Sequence, residues 1–334
     1  VINWILANHK VPGCLKPSEI VYFWKGKGDK RDLTKHRGIT LMTVPFKIAT
    51  GIIASRKGFA RAKLPIFNTG QGGGIAGRTV GTKAAIVETA IKFCLRRGVP
   101  LSVIWFDLVK GYDLLTKAGI ADSVDAIGWG NDYKEFLLSM QSEYEACVRT
   151  PYGLTSFFMF LNGVKQGDPL SPDIYVDWME MLYRWVQANK VCIKLELPPH
   201  IPPSPIVGRH VRIGPQGWID DFGILTKATE TSRGFSLVCE FVLTYNAKVS
   251  TKTIALAIGW SPTEKLKIGD EEIEWTAEGE PARVLGYHFS TAGSWDAHIA
   301  LVEAEFDKRI QEVEEARTSI DGKANLINSD VLGY

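Results

Sequence analysis

The sequence has no C-x-x-C pair. Its five cysteines, Cys14, Cys94, Cys147, Cys192 and Cys239, are scattered and odd in number. This spacing excludes a disulfide framework and a zinc site built by this chain alone, and it points to a reduced, intracellular setting. No apolar run approaches the ~20 residues of a membrane span, so no membrane partner is expected. No secretory signal precedes a cleavage site, and the chain reads as a piece of something longer, with address signals missing. A large excess of either charge is also lacking. Lys and Arg number 39 against 37 Asp and Glu, a formal net charge of +2. Any nucleic-acid surface must therefore come from local clusters. No G-x-G-x-x-G follows a strand and no G-K-[ST] ends a glycine-rich loop, which excludes a dinucleotide fold and a P-loop. No internal repeat recurs at a fixed period.

What remains is ordinary globular material. The chain has 334 residues, 45% apolar and 23% charged. That suits two or so folding units, or one large composite domain with a sizeable core. A strand-like EIVYFW is followed by a basic loop. LMTVPFKIATGIIASRKGF, 41–59, reads as mostly helical despite Pro45 and Gly51. GQGGGIAGRT, 70–79, is a glycine-rich loop. An amphipathic helix runs from Thr82 to Arg97, with Gly98 as its stop. LSVIWFD, 101–107, suits a buried strand that delivers Asp107 at its end. SFFMFLNGV, 156–164, reads the same way and meets a turn at QGDP. Ser171-Pro172 then opens a helix, serine as cap and proline in the first turn. Ile174, Trp178, Met181, Leu182 and Trp185 follow its 3.6-residue period. PPHIPPSP, 198–205, is a stiff loop. Helix and strand alternate again to about 289, and 295–317 is a charged amphipathic helix. The pattern is a mixed α/β fold.

GWIDDFGIL, 217–225, sets Asp220 and Asp221 between apolar runs. A plain hairpin turn explains two acids, because Asp tolerates left-handed backbone angles. A metal site at a hairpin tip explains them too. Asp107 tilts the balance, because strand ends distant in sequence can meet at one sheet edge. Carboxylates brought together repel unless cations sit between them. Mg²⁺ prefers oxygen ligands and shares its shell with water and phosphates.

In order, KGKGD…HRGITL, QGGGIAGRT, FDLVKGYD, GVKQGDPLSP, WIDDF, KVSTKT and VLGYHFS span about residues 10–290. With these motifs the chain resembles a reverse transcriptase, of the non-LTR retrotransposon (LINE-type) kind and, more distantly, that of group II introns. FDLVKGYD with QGDPLSP and IDD is the specific core. The resemblance implies a right-hand polymerase fold of α/β class, with an α+β palm. It implies fingers in 1–100, a catalytic palm with interleaved finger elements in 101–290, and the start of a thumb in 291–334. It further implies RNA-directed DNA synthesis on a primer, with dNTPs as substrates and an RNA template and DNA primer as partners. Further domains of a longer polyprotein are additional expected partners. Two Mg²⁺ ions, or Mn²⁺ in their place, are the expected cofactors.

Site residues follow from the same resemblance. Asp107 and Asp220 match the metal-binding carboxylates, and Asp221 the auxiliary acid. Tyr112 resembles the aromatic gate beneath the incoming sugar; a core tyrosine is the plainer reading. Gln166 and Gly167 would lie against the nascent base pair, although a tight turn before a helix also explains them. Six Lys/Arg against two Asp crowd 25–37. A solvated loop would look the same, but the matching finger loop grips the triphosphate, with Arg37 first and Lys25 and Lys27 behind it. Arginine suits bidentate phosphate contact. Gln71, Gly72, Arg78 and Thr79 would face the template, their backbone amides offering a cradle; a flexible connector is the alternative. Lys252, with Lys248 as substitute, resembles the lysine that protonates pyrophosphate. Leu285 and Gly286 match the hairpin under the primer end.

Five departures from the family pattern stand out. Gly38 follows Arg37 where proline is common, and Ile219 stands where alanine is common. The helix at 295–317 is acid-rich, unexpected against a nucleic-acid backbone. No endonuclease or zinc knuckle is present, and the thumb looks cut short at Tyr334. Besides an active polymerase, a non-catalytic RNA-binding scaffold of the same shape and an intron maturase fit the resemblance. A nuclear location is expected for a eukaryotic retroelement.

Overall fold

The apolar run LSVIWF forms a strand, Leu101–Phe106, in which every residue is buried. Its alternate side chains enter two different cores. Ile104 and Phe106 belong to one, and Leu101, Val103 and Trp105 to the other. A strand covered on both faces needs no polar face, and its apolar residues run on without alternation.

This computed structural model describes residues 1–64, 66–196 and 208–316, with the single positions 319 and 323. The proline-rich 198–205 lies outside the described residues. In chain order the helices are α1 (Ile2–Asn8), α2 (Val44–Lys63), α3 (Val80–Arg97), α4 (Gly111–Leu114), α5 (Lys117–Ile127), α6 (Asn131–Gln141), α7 (Ser171–Ala188), α8 (Thr231–Thr244) and α9 (Asp296–Glu315). The strands are β1 (Ser18–Trp24), β2 (His36–Leu41), β3 (Leu101–Phe106), β4 (Glu145–Thr150), β5 (Gly153–Leu154), β6 (Phe158–Met159), β7 (Ile193–Glu196) and β8 (His210–Ile213). They continue with β9 (Gln216–Trp218), β10 (Asp221–Lys227), β11 (Ile254–Ile258), β12 (Leu266–Ile268), β13 (Glu271–Ile273), β14 (Pro281–Val284) and β15 (Tyr287–Ser290).

The central sheet has the order β11-β3-β10-β9, and all its pairs are antiparallel. Helices α7 and α8 supply apolar side chains to the core on one face, and α3 supplies them on the other. A second sheet, β2-β1-β4-β5 with β6 beside β4, carries the basic loop between β1 and β2. Helices α2 and α7 are joined by two ion pairs. Lys57 of α2 pairs with Asp177 of α7, and Arg61 with Asp173, one turn away on each helix.

Several sequence expectations hold. Gly98 ends α3 with φ 62°, the left-handed cap glycine favours. The helix over 41–59 forms as α2, and the charged helix over 295–317 forms as α9. Others change. In 156–164 only Phe158–Met159 is strand, and Phe157, Phe158, Met159 and Leu161 are exposed. Their apolarity does not come from a core, because among the described residues no second layer covers β6. Ser171 is not the cap of α7. It is the first helical residue, with Leu170 at the cap. The capping is done by Asp168, whose carboxylate accepts from Leu170 N–H at 3.2 Å and from Ser171 Oγ at 3.5 Å. Trp185 is partly exposed, with its indole N–H donating to Leu237 O. After α8 the chain forms β11 to β15 with no helix until α9, because short hairpins there turn on positive-φ residues such as Gly269 and Leu285-Gly286.

Helix α9 buries only Val313 and touches β15. Arg309, and more distantly Lys27 of the basic loop, hold the Glu305 carboxyl below its usual range. The acid-rich surface of α9 thus has cations of this chain near it.

Candidate active site

β3 and β10 run in register from Lys227↔Leu101 to Phe222↔Phe106. One further step sets Asp221 opposite Asp107, and neighbouring strands lie ~5 Å apart. Asp220 stands beside them in the two-residue turn between Trp218 and Asp221, which pair as the last residues of β9 and the first of β10. All three acids open to solvent while protein crowds Asp220 and Asp221 from most sides. Burial raises the Asp220 carboxyl above its usual range and Asp107 adds to the rise, whereas Arg37 opposes it. Burial, and then Asp220, push Asp221 up to about 6, with a smaller push from Asp107. The three carboxylates therefore feel one another, and the charge of Arg37 on β2 reaches Asp220.

Asp107 is tied to the KVSTKT loop. Its carbonyl accepts from Ser250 N–H at 2.7 Å and its N–H donates to Thr253 Oγ1 at 3.3 Å. Val109 N–H reaches Lys248 O at 2.9 Å. Lys248 and Lys252 thus share a loop fastened to the strand end that bears Asp107. Lys252 is exposed, and its N–H bonds Ser250 Oγ.

Tyr112 lies on the one-turn helix α4 and stacks flat on Tyr175 of α7, ring centroids 4.4 Å apart and planes 10° off parallel. Burial, then Asp220 and Asp173, raise its phenol. Its ring is half-buried within reach of the acids. Gly111 beside it is needed for this stacking, since a Cβ there would overlap Tyr175. The Gln166-Gly167 turn presses on β2. Gln166 O accepts from Thr40 N–H at 2.7 Å, and a Cβ on Gly167 would come within 2.9 Å of Thr40 O. Gln166 Nε2 is 3.5 Å from Asp113 Oδ1. Arg37 is exposed, four residues before Leu41 on the same strand, with Gly38 following against Tyr22 and Ile20. Lys25 and Lys27 are exposed in the β1–β2 loop, Lys25 Nζ reaching Thr34 O at 3.3 Å.

The glycine-rich loop is neither a loose connector nor an open phosphate cradle at its start. Gly70 N–H donates to Asn68 Oδ1, Gly72 N–H to Gly217 O, and Gly73 N–H to Gln71 Oε1. The loop lies along β9, with Gln71 and Gly217 bridged. Gln71 has no exposed surface. Gly72 is buried, and Arg78 donates to the carbonyls of Asn68 and Gln71. The side chains of Gln71 and Arg78 face inward, whereas Thr79 is exposed and caps α3 by accepting from Thr82 N–H. Leu285 and Gly286, φ 55° and 83°, form the two-residue turn between β14 and β15. Tyr287 next to this turn approaches Gly81 near the start of α3.

Two features escaped the sequence. Lys165, inside GVKQGDP, is buried with its ammonium over the rings of Tyr144 (3.5 Å) and Phe46 (4.2 Å). Burial pulls its pKa down to about 7, while Asp168 pulls the other way. Gln71 is a template-facing residue in the sequence reading, and its pairing with the acid turn, 148 residues away, escaped it.

No family model matches the chain. Among curated proteins it is 26% identical over 149 residues to an uncharacterized 149 kDa protein of transposon TX1 from Xenopus laevis, covering 45% of this chain and 11% of that one. It is 30% identical over 97 residues to a retrovirus-related Pol polyprotein from the type-1 retrotransposable element R2 of Popillia japonica, covering 28% and 16%. Among solved structures, telomerase from Candida tropicalis with a fragment of telomeric RNA superposes with TM-score 0.54 at 12% identity, over 99% of this chain and 55% of that one. The apo enzyme truncated from its C-terminal domain gives 0.52 at 15% identity, over 86% and 57%. In the stretches matched to the curated proteins the chain is similar to proteins of non-LTR retrotransposons, in keeping with the resemblance its motifs carry. Its fold is that of the right-hand polymerases. The stretches of this reverse-transcriptase-like chain that match the curated relatives span under a fifth of their length.

Among the described residues, no three acidic, histidine or cysteine side chains converge into a ready-made metal cage. Mg²⁺ does not ask for one, because it binds through one or two carboxylates and completes its shell with water and substrate phosphates. Adjacent oxygen donors at Asp107 and Asp220, whose charges oppose each other, suit such an ion. Among the described residues no helix is long and apolar enough to cross a membrane.

Proposed function

We propose that the chain is an RNA-directed DNA polymerase that extends a primer 3′-hydroxyl with dNTPs on an RNA template, as one part of a retroelement polyprotein. The observation that carries this reading is the meeting of Asp107 with Asp220 and Asp221 at one sheet edge, where the charge of Arg37 reaches Asp220. Retrotransposon relatives and a telomerase-like fold support it.

In this reading Asp107 and Asp220 would hold two Mg²⁺ ions, or Mn²⁺, and Asp221 would tune the charge of the site. When bound, such an ion pair activates the primer hydroxyl and stabilises the leaving pyrophosphate. Arg37, with Lys25 and Lys27, binds the triphosphate as a fork and two point charges. Lys252, or Lys248 in the same loop, donates a proton to the departing pyrophosphate. Tyr112, braced on Tyr175, excludes a ribose 2′-hydroxyl. Gln166 and Gly167 contact the new base pair, Leu285 and Gly286 support the primer end, and Thr79 is the open position for the template beside the inward-facing Arg78. Where the element is that of a eukaryotic host, the polymerase acts in the nucleus.

The test is primer extension on an RNA template with Mg²⁺. Wild-type chain extends the primer, and Asp220→Asn abolishes extension while RNA binding stays within about twofold. Extension insensitive to Asp220→Asn would remove the assignment. RNA binding without extension by the wild-type chain would favour a scaffold.

A further inference from the structure

A buried amide side chain must find partners for its oxygen and its N–H groups. Gln71, fully buried, finds them on the acid turn. Its Oε1 accepts from Ile219 N–H at 3.1 Å and from Gly73 N–H at 3.0 Å, and its Nε2 donates to Ile219 O at 3.4 Å. One side chain therefore holds both backbone polar groups of the residue that precedes Asp220.

Ile219 needs such holding. Its φ is 56°, in the left-handed region that a β-branched side chain avoids. It takes the first corner of a two-residue hairpin turn, and the second corner, Asp220, does not have positive φ. In hairpin turns of that pattern glycine normally fills the first corner. A strained residue persists only where its surroundings over-determine it. The surroundings here are the glycine-rich loop. A Cβ on Gly73 would lie 2.6 Å from Ile219 N, and one on Gly72 2.5 Å from the Trp218 ring. The loop is pressed against the back of the turn, and only glycines allow the fit.

We propose that Gln71 is a positioning residue: it clamps Ile219 in its strained conformation and so fixes where the Asp220 carboxylate points. This inference rests on the polymerase reading of the site. It also replaces template contact as the role of Gln71, since a side chain with no exposed surface meets no strand.

The test uses the full chain and Gln71→Met, which keeps length and removes all three bonds. The expected result is a fall on the order of 10–100-fold in single-turnover extension at saturating template–primer and dNTP, the cost of a small misplacement in an active site. Template–primer affinity stays within about twofold. Mn²⁺ binding without nucleic acid, followed by electron paramagnetic resonance, weakens several-fold. Ile219→Gly added to Gln71→Met restores most of the lost rate, because glycine holds that turn unaided. A Gln71→Met chain that extends at the wild-type rate overturns the proposal. So does one that loses template–primer affinity at an unchanged saturated rate, or a double variant no faster than the single. If Gln71→Met alone does not fold, the double variant decides: folded and active supports the clamp, unfolded or inactive overturns it. A wild-type chain that extends no primer sinks the polymerase reading instead, and the Mn²⁺ comparison still decides the clamp.

Discussion

At the residue scale, Lys165 shows how much a buried charge can tie stability to pH. Its pKa falls from 10.5 to about 7 on burial. Below pH 7 the ammonium is charged in both folded and unfolded chains, and the fold carries the full desolvation cost. Between about pH 7 and 10.5 the folded chain has released a proton that the unfolded chain still holds, so stability rises with pH. Lys165→Met should therefore stabilise the protein at pH 6 and lose that advantage by pH 10, by an amount on the order of a few kcal/mol. Denaturant unfolding of both proteins across this range checks it; a pH-independent difference would contradict it. Tyr112 makes a second prediction. Its ring lies flat on Tyr175 within reach of Asp220. Tyr112→Ala should raise ribonucleotide incorporation relative to deoxynucleotide by about tenfold or more, as removal of a steric block does. Unchanged discrimination in competitive incorporation would dismiss the gate. The acids themselves were legible in sequence, because strand-end carboxylates in FDLVKGYD and WIDDF carry their own local signal. The roles of Gln71 and Lys165 were not, because Gln71 bonds Ile219, 148 residues away, and Lys165 Nζ donates to Met140 O, 25 residues away.

At the element scale, α2 and α7 are joined by cations that the sequence reading left unassigned. Lys57 and Asp177 are both buried, and Lys57 also donates to Tyr133 Oη at 2.9 Å. Removing one partner strands the other charge, so Asp177→Asn should cost roughly 3–5 kcal/mol in urea unfolding. A loss below about 1 kcal/mol would show that the pair contributes little. The contrast between β3 and β6 makes the complementary point. Both runs read as buried strands. Phe106 stacks on Phe235 and tilts against Phe222 inside the core, whereas Phe158 is exposed. Phe106→Ala should cost about 3–5 kcal/mol, and Phe158→Ser less than about 1 kcal/mol. Local apolarity cannot tell these strands apart, because it does not say whether a second layer covers them. Helices α3, α7 and α9 were readable because amphipathic periodicity and a cap glycine are local features. Strand β11 and the β12–β13 hairpin were not, since each strand is too short to show a period, whereas Leu285 and Gly286 marked the β14–β15 hairpin through the motif that holds them.

At the scale of the whole molecule, the order of motifs carried more than any single one. FDLVKGYD, QGDPLSP and IDD lie far apart in sequence, and the antiparallel pairing of β3 with β10 brings the first and last together. Around that edge the chain sets Arg37 from one sheet, Tyr112 and Gln166 from the connecting elements, and the Lys248–Lys252 loop behind Asp107. The glycine-rich loop, expected on the template side, instead supports the acid turn from behind.

The most direct measurement is RNA-templated primer extension by the wild-type chain and Asp220→Asn at equal, saturating template–primer and Mg²⁺. The account predicts full-length DNA from the first and none from the second, with equal RNA binding. Equal DNA synthesis by both would contradict it.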